Sequence, residues 1–193
     1  EKAFKEYKTK FLREAKNLSK LKHPHIVDIL EAFEANNICY YVMEYLEGGS
    51  FDSYIKAENG LSESEALTCI RQIGEALQFM HNNRMLHLDL KPKNIMRRKD
   101  GSIVLIDFGL SKQYNSQGEP ETSTAIGYGT PGYAPIEQSC YRDGEGFPIT
   151  IDIYALGATL FKTLTGKTPP NASNIMNYGF PEAELQELSL IHI

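Results

Sequence analysis

The sequence predicts an α+β fold, with a helix and a β-hairpin in its first quarter and mainly helices beyond. Three observations carry that prediction. Apolar residues recur at helical spacing from Phe4 to Leu21. Two β-forming runs follow, at 26–33 and 38–45, with "EANN" between them. After "EGGS" at 47–50, the stretches 62–82 and 150–166 carry helix start and stop signals. With 193 residues, 41% of them apolar and 23% charged, the chain can bury a real core.

Phe4, Tyr7, Phe11, Ala15, Leu18 and Leu21 step by three and four, which makes the first helix amphipathic. Glu14 sits three after Phe11 and four before Leu18, so it shares the apolar face. It is either an edge glutamate whose head reaches water or the partner of a buried cation. "HPH" at 23–25 ends the helix, because proline disfavours helix for the residue before it. "IVDILEAF" and "ICYYVMEY" then form an antiparallel hairpin, and "EGGS" marks a boundary or hinge. Tyr40, Tyr41 and Phe51 read as core or hinge packing.

Ser62 and Glu65 have capping-box spacing, and Ala66, Ile70, Ile73, Leu77 and Met80 give the following helix a buried face. His81 is expected to end that helix, with His23 and His25 in a turn. "RRKDGSIVLIDF" at 97–108 reads as two short strands around an Asp-Gly turn, with "RRKD" at 97–100 a solvated turn rather than a phosphate site. Residues 113–149 are polar and rich in Gly and Pro, and a stretch that long is functional or disordered. Thr150 is expected to cap "IDIYALGATLFKTLTG", which Gly166, Pro169 and Pro170 close.

A net charge of −5 argues against a nucleic-acid or anionic-membrane surface. Cys39, Cys69 and Cys140 are odd in number and widely spaced. They suit neither a disulfide framework nor a zinc site and fit a reducing cytosol, so a cytoplasmic location is expected. No apolar run approaches the roughly 20 residues of a membrane span, and the charged start "EKAFKEYKTK" has no signal segment. Without an initiator Met, the true start is expected upstream. The tail "LSLIHI" equals the translation of CTGTCTCTTATACACATC, a transposon end used as a sequencing adapter. Residues 188–193 are therefore expected to be non-native.

The chemistry lies in "HLDLKPKNIM" at 87–96 and "LIDFGLSK" at 105–112. Each short motif alone is weak: His-x-Asp is commonly a surface pair, and Asp-Phe-Gly can be a strand end with a turn. Their order adds meaning. The first lies between a long helix and a hairpin, the second ends that hairpin, "GTPGYAPIEQ" closes the long loop, and "DIYALG" opens the next buried helix.

In that order these motifs resemble the protein-kinase superfamily, from about residue 4 to about 172. "HLD", "KPKN" and "GYAPIEQ" resemble its bacterial serine/threonine type. The resemblance implies a bilobal kinase-like fold truncated at both ends. Residues 1–46 would be a partial N-lobe, 47–187 a partial C-lobe, and 188–193 the foreign tail. It implies ATP and Mg2+ as cofactors and a protein hydroxyl as substrate, with no nucleic-acid partner and no membrane segment in this chain.

By this resemblance Asp89 accepts the hydroxyl proton, Lys91 neutralises the moving phosphoryl group, and Asn94 and Asp107 bind magnesium. Thr130 bonds to Asp89 and Lys91, and Glu14 pairs with a phosphate-holding lysine. Met43 is the gatekeeper, Glu44 and Leu46 offer backbone to adenine, and Met96 packs beneath it. Leu18, Ile29, His87 and Phe108 form an apolar column. Glu137 closes the activation segment and Asp152 holds the catalytic loop.

The chain departs from the pattern in two ways. Leu88 stands where an arginine commonly pairs with an activation-loop phosphate, so activity independent of phosphate on Thr122, Ser123, Thr124 or Tyr128 is expected. No Gly-rich loop or strand lysine precedes Glu14, and Lys2, Lys5, Lys8 and Lys10 lie on or before its helix and cannot substitute. Tight ATP binding by this segment alone is therefore not expected. Two alternatives stay open: a pseudokinase scaffold, and a small-molecule kinase of the aminoglycoside or choline type.

Overall fold

In the computed structural model, residues 8–9, 11–12, 15–109, 111–115, 129–139 and 147–181 are described. Glu14, the tail 188–193, Cys140 and the four candidate phosphorylation positions lie outside them. The α+β class holds.

Residues 8–9, 11–12 and 15–18 are helical and a turn follows at 19–20, so the helix stops before "HPH". Ala15 is buried and Leu18 packs on the main core. Lys8 is turned onto the hairpin, where it pairs with Glu34 and donates to Asn37 Oδ1 at 3.0 Å. Strands β1 (Ile29–Ala35) and β2 (Ile38–Met43) pair antiparallel, with Ala35 opposite Ile38. β1 starts at Ile29 rather than 26 but runs two residues further toward the turn than the sequence implied, β2 ends at Met43 rather than 45, and only Asn36 and Asn37 make the turn. Both take positive φ, 49° and 64°, which asparagine tolerates and the twist of a two-residue hairpin requires. The strand ladder thus absorbs the "EA" that reads as loop. All of β2 except Cys39 is exposed, so Tyr40 and Tyr41 are not core residues here, whereas Phe51 is fully buried.

Ser50 caps α1 (Phe51–Glu58) by accepting from Ser53 N at 3.1 Å. Helix α2 (Glu63–Asn82) opens on the predicted capping box, with Ser62 and Glu65 bonding reciprocally. Next come β3 (Met85–Leu86), a single 3₁₀ turn at Pro92–Asn94, β4 (Ile95–Arg97) and β5 (Ile103–Leu105). The last two form the Asp-Gly hairpin. Strand β6 (Lys112–Gln113) returns to pair with β3. Short α3 (Ile136–Ser139), α4 (Thr150–Thr165) and α5 (Ala172–Tyr178) complete the described elements.

One core joins the halves. Ile26 and Ile29 from the first part meet Phe51, Leu77, Ile95 and Leu105 from the second. The main chain ties them too, since Val27 N donates to Leu105 O at 2.9 Å and Leu105 N to His25 O at 3.0 Å. No helix among the described residues is long and apolar enough to cross a membrane.

Thr150 is not the cap of α4. Ile149 already has helical angles (φ −60°, ψ −19°), so Thr150 is inside the first turn and cannot act from the extended conformation a cap uses. Gly166 does end the helix, at φ 69°, where Lys162 Nζ donates to its carbonyl at 2.6 Å.

The "EGGS" segment is pinned rather than loose. Gly48 N donates to Arg97 O at 3.0 Å and Arg97 N to Gly49 O at 2.9 Å. A Cβ on Gly48 would lie 2.4 Å from Arg97 O. Gly48→Ala must push β4 away, and a stability loss of about 1–3 kcal/mol is expected in urea unfolding. Unchanged stability would mean that 48–49 is not held this way.

Candidate active site

The loop after β3 has little regular structure, so its shape must come from side chains. Asp152, in the first turn of α4 and fully buried, supplies much of it. Its carboxylate accepts from His87 N and Leu88 N, both at 2.9 Å, and from His81 Nε2 at 2.8 Å. Burial is the strongest single influence on this carboxyl and opposes its ionisation. The His81 hydrogen bond and the two backbone amides favour the charged form, and the pKa lies below the usual carboxylate value. Sequence reasoning made Asp152 the loop's support but gave His81 only a helix end; the structure makes it a second partner of that carboxylate.

Asp89, Lys91, Asn94 and Thr130 converge. Lys91 Nζ donates to Asp89 Oδ2 at 2.6 Å and to Thr130 Oγ1 at 2.8 Å. Thr130 Oγ1 donates to Asp89 Oδ1 at 2.6 Å. Asn94 Nδ2 donates to the Asp89 backbone oxygen at 2.9 Å and to Oδ2 at 3.0 Å. Asp89 and Lys91 keep 13% and 18% of their side-chain surface exposed, so the pair is sheltered yet reachable. Thr130 lies 41 residues from Asp89, so only the fold makes this contact.

Asp107 is on the same side. Ile106 N donates to Asn94 O at 3.1 Å, so the residue after it starts beside the Asn94 turn. Its carboxylate is exposed, and its Oδ1 accepts from Gly109 N at 2.9 Å. The Tyr41 phenol has a raised pKa, from burial first and the Asp107 charge second, which sets this carboxylate toward β2. His87 feels the charges of Asp152, Asp89 and Asp107, but full burial dominates and keeps the ring neutral. Its Nδ1 accepts from Asp89 N at 3.3 Å, which leaves the proton on Nε2, an atom without a partner among the described residues. The ring lies 5.5 Å from that of Phe108, and Phe108, Ile29 and Leu18 share one cluster.

Met43 ends β2 opposite Ile29 and is 40% exposed. Glu44 N donates to Asp28 O at 3.0 Å. The Glu44 carboxylate accepts from Asp28 N at 3.1 Å and Arg98 Nη2 at 2.7 Å. Arg98, which reads as part of a solvated turn, thus braces the segment after β2. Leu46 is buried, and half-buried Met96 packs against the cluster that holds Leu46 and Phe108. Gln138, the last residue of "GTPGYAPIEQ", carries no role in the sequence pattern, yet it is 2% exposed and reaches the loop at Leu88 O, 2.7 Å away.

The chemistry this permits is specific. A carboxylate held by a lysine, a hydroxyl and an amide can accept a hydroxyl proton while the ammonium faces negative charge. Among the described residues no group of three or more His, Cys, Asp or Glu could hold a metal alone. With the Asn94 amide nitrogen committed to Asp89, its oxygen and the exposed Asp107 carboxylate are the hard donors on hand. That set fits magnesium, which takes few protein ligands and completes its shell with water and phosphate oxygens.

The protein kinase domain family matches residues 1–189. Serine/threonine-protein kinase PrkC of Bacillus subtilis is 39% identical over 164 residues, covering 85% of this chain and 24% of the relative. Serine/threonine-protein kinase PknA of a Nostoc strain is 40% identical over 144 residues, 71% of this chain and 24% of the relative. PknB of Mycobacterium tuberculosis is 34% identical over 164 residues, 83% of this chain and 26% of the relative. The chain spans about a quarter of the length of these relatives. A sheltered Asp–Lys–Thr cluster beside Asn94 and Asp107, carried on a sequence that matches over nearly its whole length, places this chain in the protein kinase family.

Proposed function

We propose that the protein carrying this chain moves the γ-phosphate of Mg-ATP to a serine or threonine hydroxyl of another protein. The observation that carries the reading is the bonding of Asp89 to Lys91, Thr130 and Asn94 at 2.6–3.0 Å. In this reading Asp89 orients the incoming hydroxyl and takes its proton, and Lys91 faces the charge that develops on the transferring group. Thr130 holds both in register. Asn94 and Asp107 hold magnesium, which when bound neutralises phosphate charge and aligns the transfer. Met43, Glu44, Leu46 and Met96 frame the adenine, and Glu14 pairs with a lysine from upstream.

Residues 1–46 serve as part of an N-lobe and 47–187 as part of a C-lobe of a longer kinase. The segment alone, without a Gly-rich loop and strand lysine, is expected to bind Mg-ATP weakly and to be inactive. Isothermal titration of the segment checks this, and tight binding would contradict it. The test of the activity is phosphate transfer by the intact protein to casein and a peptide panel, against a sugar and aminoglycoside panel. Transfer to peptides alone is the expected outcome. Transfer only to small molecules, or none to any acceptor, defeats the reading.

Leu88 bears on regulation. Its side chain is 3% exposed in an apolar cluster with Leu86 and Ile151, against which Tyr114 and Phe147 pack. The leucine itself offers a phosphate no cation at this position. Intact protein free of phosphate on Thr122, Ser123, Thr124 and Tyr128 is expected to be active, measured after phosphatase treatment and mass spectrometry. Activity that returns only on rephosphorylation would refute this.

A further inference from the structure

We infer that Gln138 is a positioning residue for the transfer step, acting on Asp89 through the Leu88 peptide. The inference rests on the kinase reading above. Leu88 has φ 64°, in the left-handed region that costs a branched side chain conformational energy and persists only where the surroundings impose it. Both of its backbone groups are held by side chains from distant parts of the chain. Asp152 Oδ1 accepts from Leu88 N at 2.9 Å, and Gln138 Nε2 donates to Leu88 O at 2.7 Å. The second bond crosses 50 residues and is buried. The carbonyl it holds belongs to the peptide whose nitrogen is that of Asp89, so rotation of this peptide would swing the carboxylate off Lys91 and Thr130.

A second contact links the same glutamine to Thr130. A Cβ on Gly129, which has φ 67°, would lie 3.0 Å from the Gln138 amide carbon and nitrogen. The glutamine head therefore packs against the backbone just before Thr130, whose hydroxyl bonds Asp89 at 2.6 Å. Gln138 thus touches both arms of the cluster, the loop that carries Asp89 and the segment that carries Thr130. It is too far inside the fold to meet substrate, so its effect must pass through these two contacts.

The test uses the intact kinase. Gln138→Leu keeps the volume and removes the donor. A fall in kcat of about 10- to 100-fold is expected, with KM for ATP nearly unchanged, since misplacement of a reacting group has effects of that size. Gln138→Glu keeps the shape and makes the donor conditional. A buried carboxylate facing a carbonyl has a raised pKa, and only its protonated form can donate to Leu88 O. The ratio of Gln138→Glu to wild-type kcat should therefore rise as pH falls.

Hydrogen exchange gives a readout that needs no catalysis, with faster exchange of the Leu88 and Asp89 amides expected in Gln138→Leu. If wild type transfers no phosphate, the kinase reading fails, and the exchange result alone decides whether Gln138 holds the loop. If wild type is active and Gln138→Leu matches it in kcat below its melting temperature, or the Gln138→Glu ratio is flat with pH, the inference is overturned. Unchanged amide exchange in Gln138→Leu overturns it as well.

Discussion

Asp89→Asn in the intact protein is expected to lower kcat by about 10²- to 10⁴-fold, with the fold intact and KM for ATP nearly unchanged. The outcome depends on where the new amide can point. Asp89 receives three side-chain donors: Lys91 and Asn94 on Oδ2, and Thr130 on Oδ1. A lysine ammonium and an asparagine NH2 can only donate, so the amide oxygen must take their side. The amide nitrogen then faces Thr130, whose hydroxyl can turn and accept. The cluster therefore closes again without a clash of donors, and the variant loses chiefly its capacity to take a proton. Steady-state transfer kinetics beside a thermal melt check this. A kcat within a few-fold of wild type would remove Asp89 from the reaction, and an inactive wild type would favour a scaffold over an enzyme.

The parts of this molecule that were legible in the sequence are those fixed by local rules. Ser62 and Glu65 announce the start of α2, and Gly166 with its prolines announces the end of α4, because capping and helix breaking involve neighbours a few residues away. The kinase resemblance carried by the order of "HLDLKPKN", "DFG" and "GTPGYAPIEQ" brought Asp89 and Thr130 together in expectation. What stayed hidden involves side chains that act over long separations and look ordinary where they stand. His81 reads as the last turn of a helix, yet it meets Asp152 across 71 residues. Arg98 reads as a solvated turn, yet it braces Glu44 across 54. The Thr150 cap failed for a local reason that propensity does not register: the turn before α4 is already helical at Ile149. The position of Glu14 lies outside the described residues, so its pairing with an upstream lysine stays a proposal.

Asp152 is where removal should cost the most stability. Asp152→Ala would strand three donors, the part-buried His81 ring and the buried His87 and Leu88 amides. Loss of a buried charged partner costs about 3–5 kcal/mol, which for a domain of this size is a fall in melting temperature on the order of 10 °C. The same anchor sets a pH dependence. The His87 ring is fully buried and neutral with a lowered pKa, and it takes up a proton near pH ~6.5 only when the chain unfolds. Its contribution to stability is therefore complete above about pH 6.5 and is lost as pH falls below that, by up to about 1.4 kcal/mol per pH unit until the folded pKa is reached. The lowered pKa of Asp152 works in the same direction at a lower pH. Its contribution is present above about pH 3.9 and is lost only as pH falls through the folded value. Urea midpoints should thus fall first between about pH 6.5 and 5, and again in strong acid. His87→Phe should flatten the first decline while leaving the smaller part that partly exposed His23, also lowered by burial, contributes. A wild-type midpoint that does not move between about pH 7.5 and 5 would mean that the histidine at the centre of this loop is not held neutral.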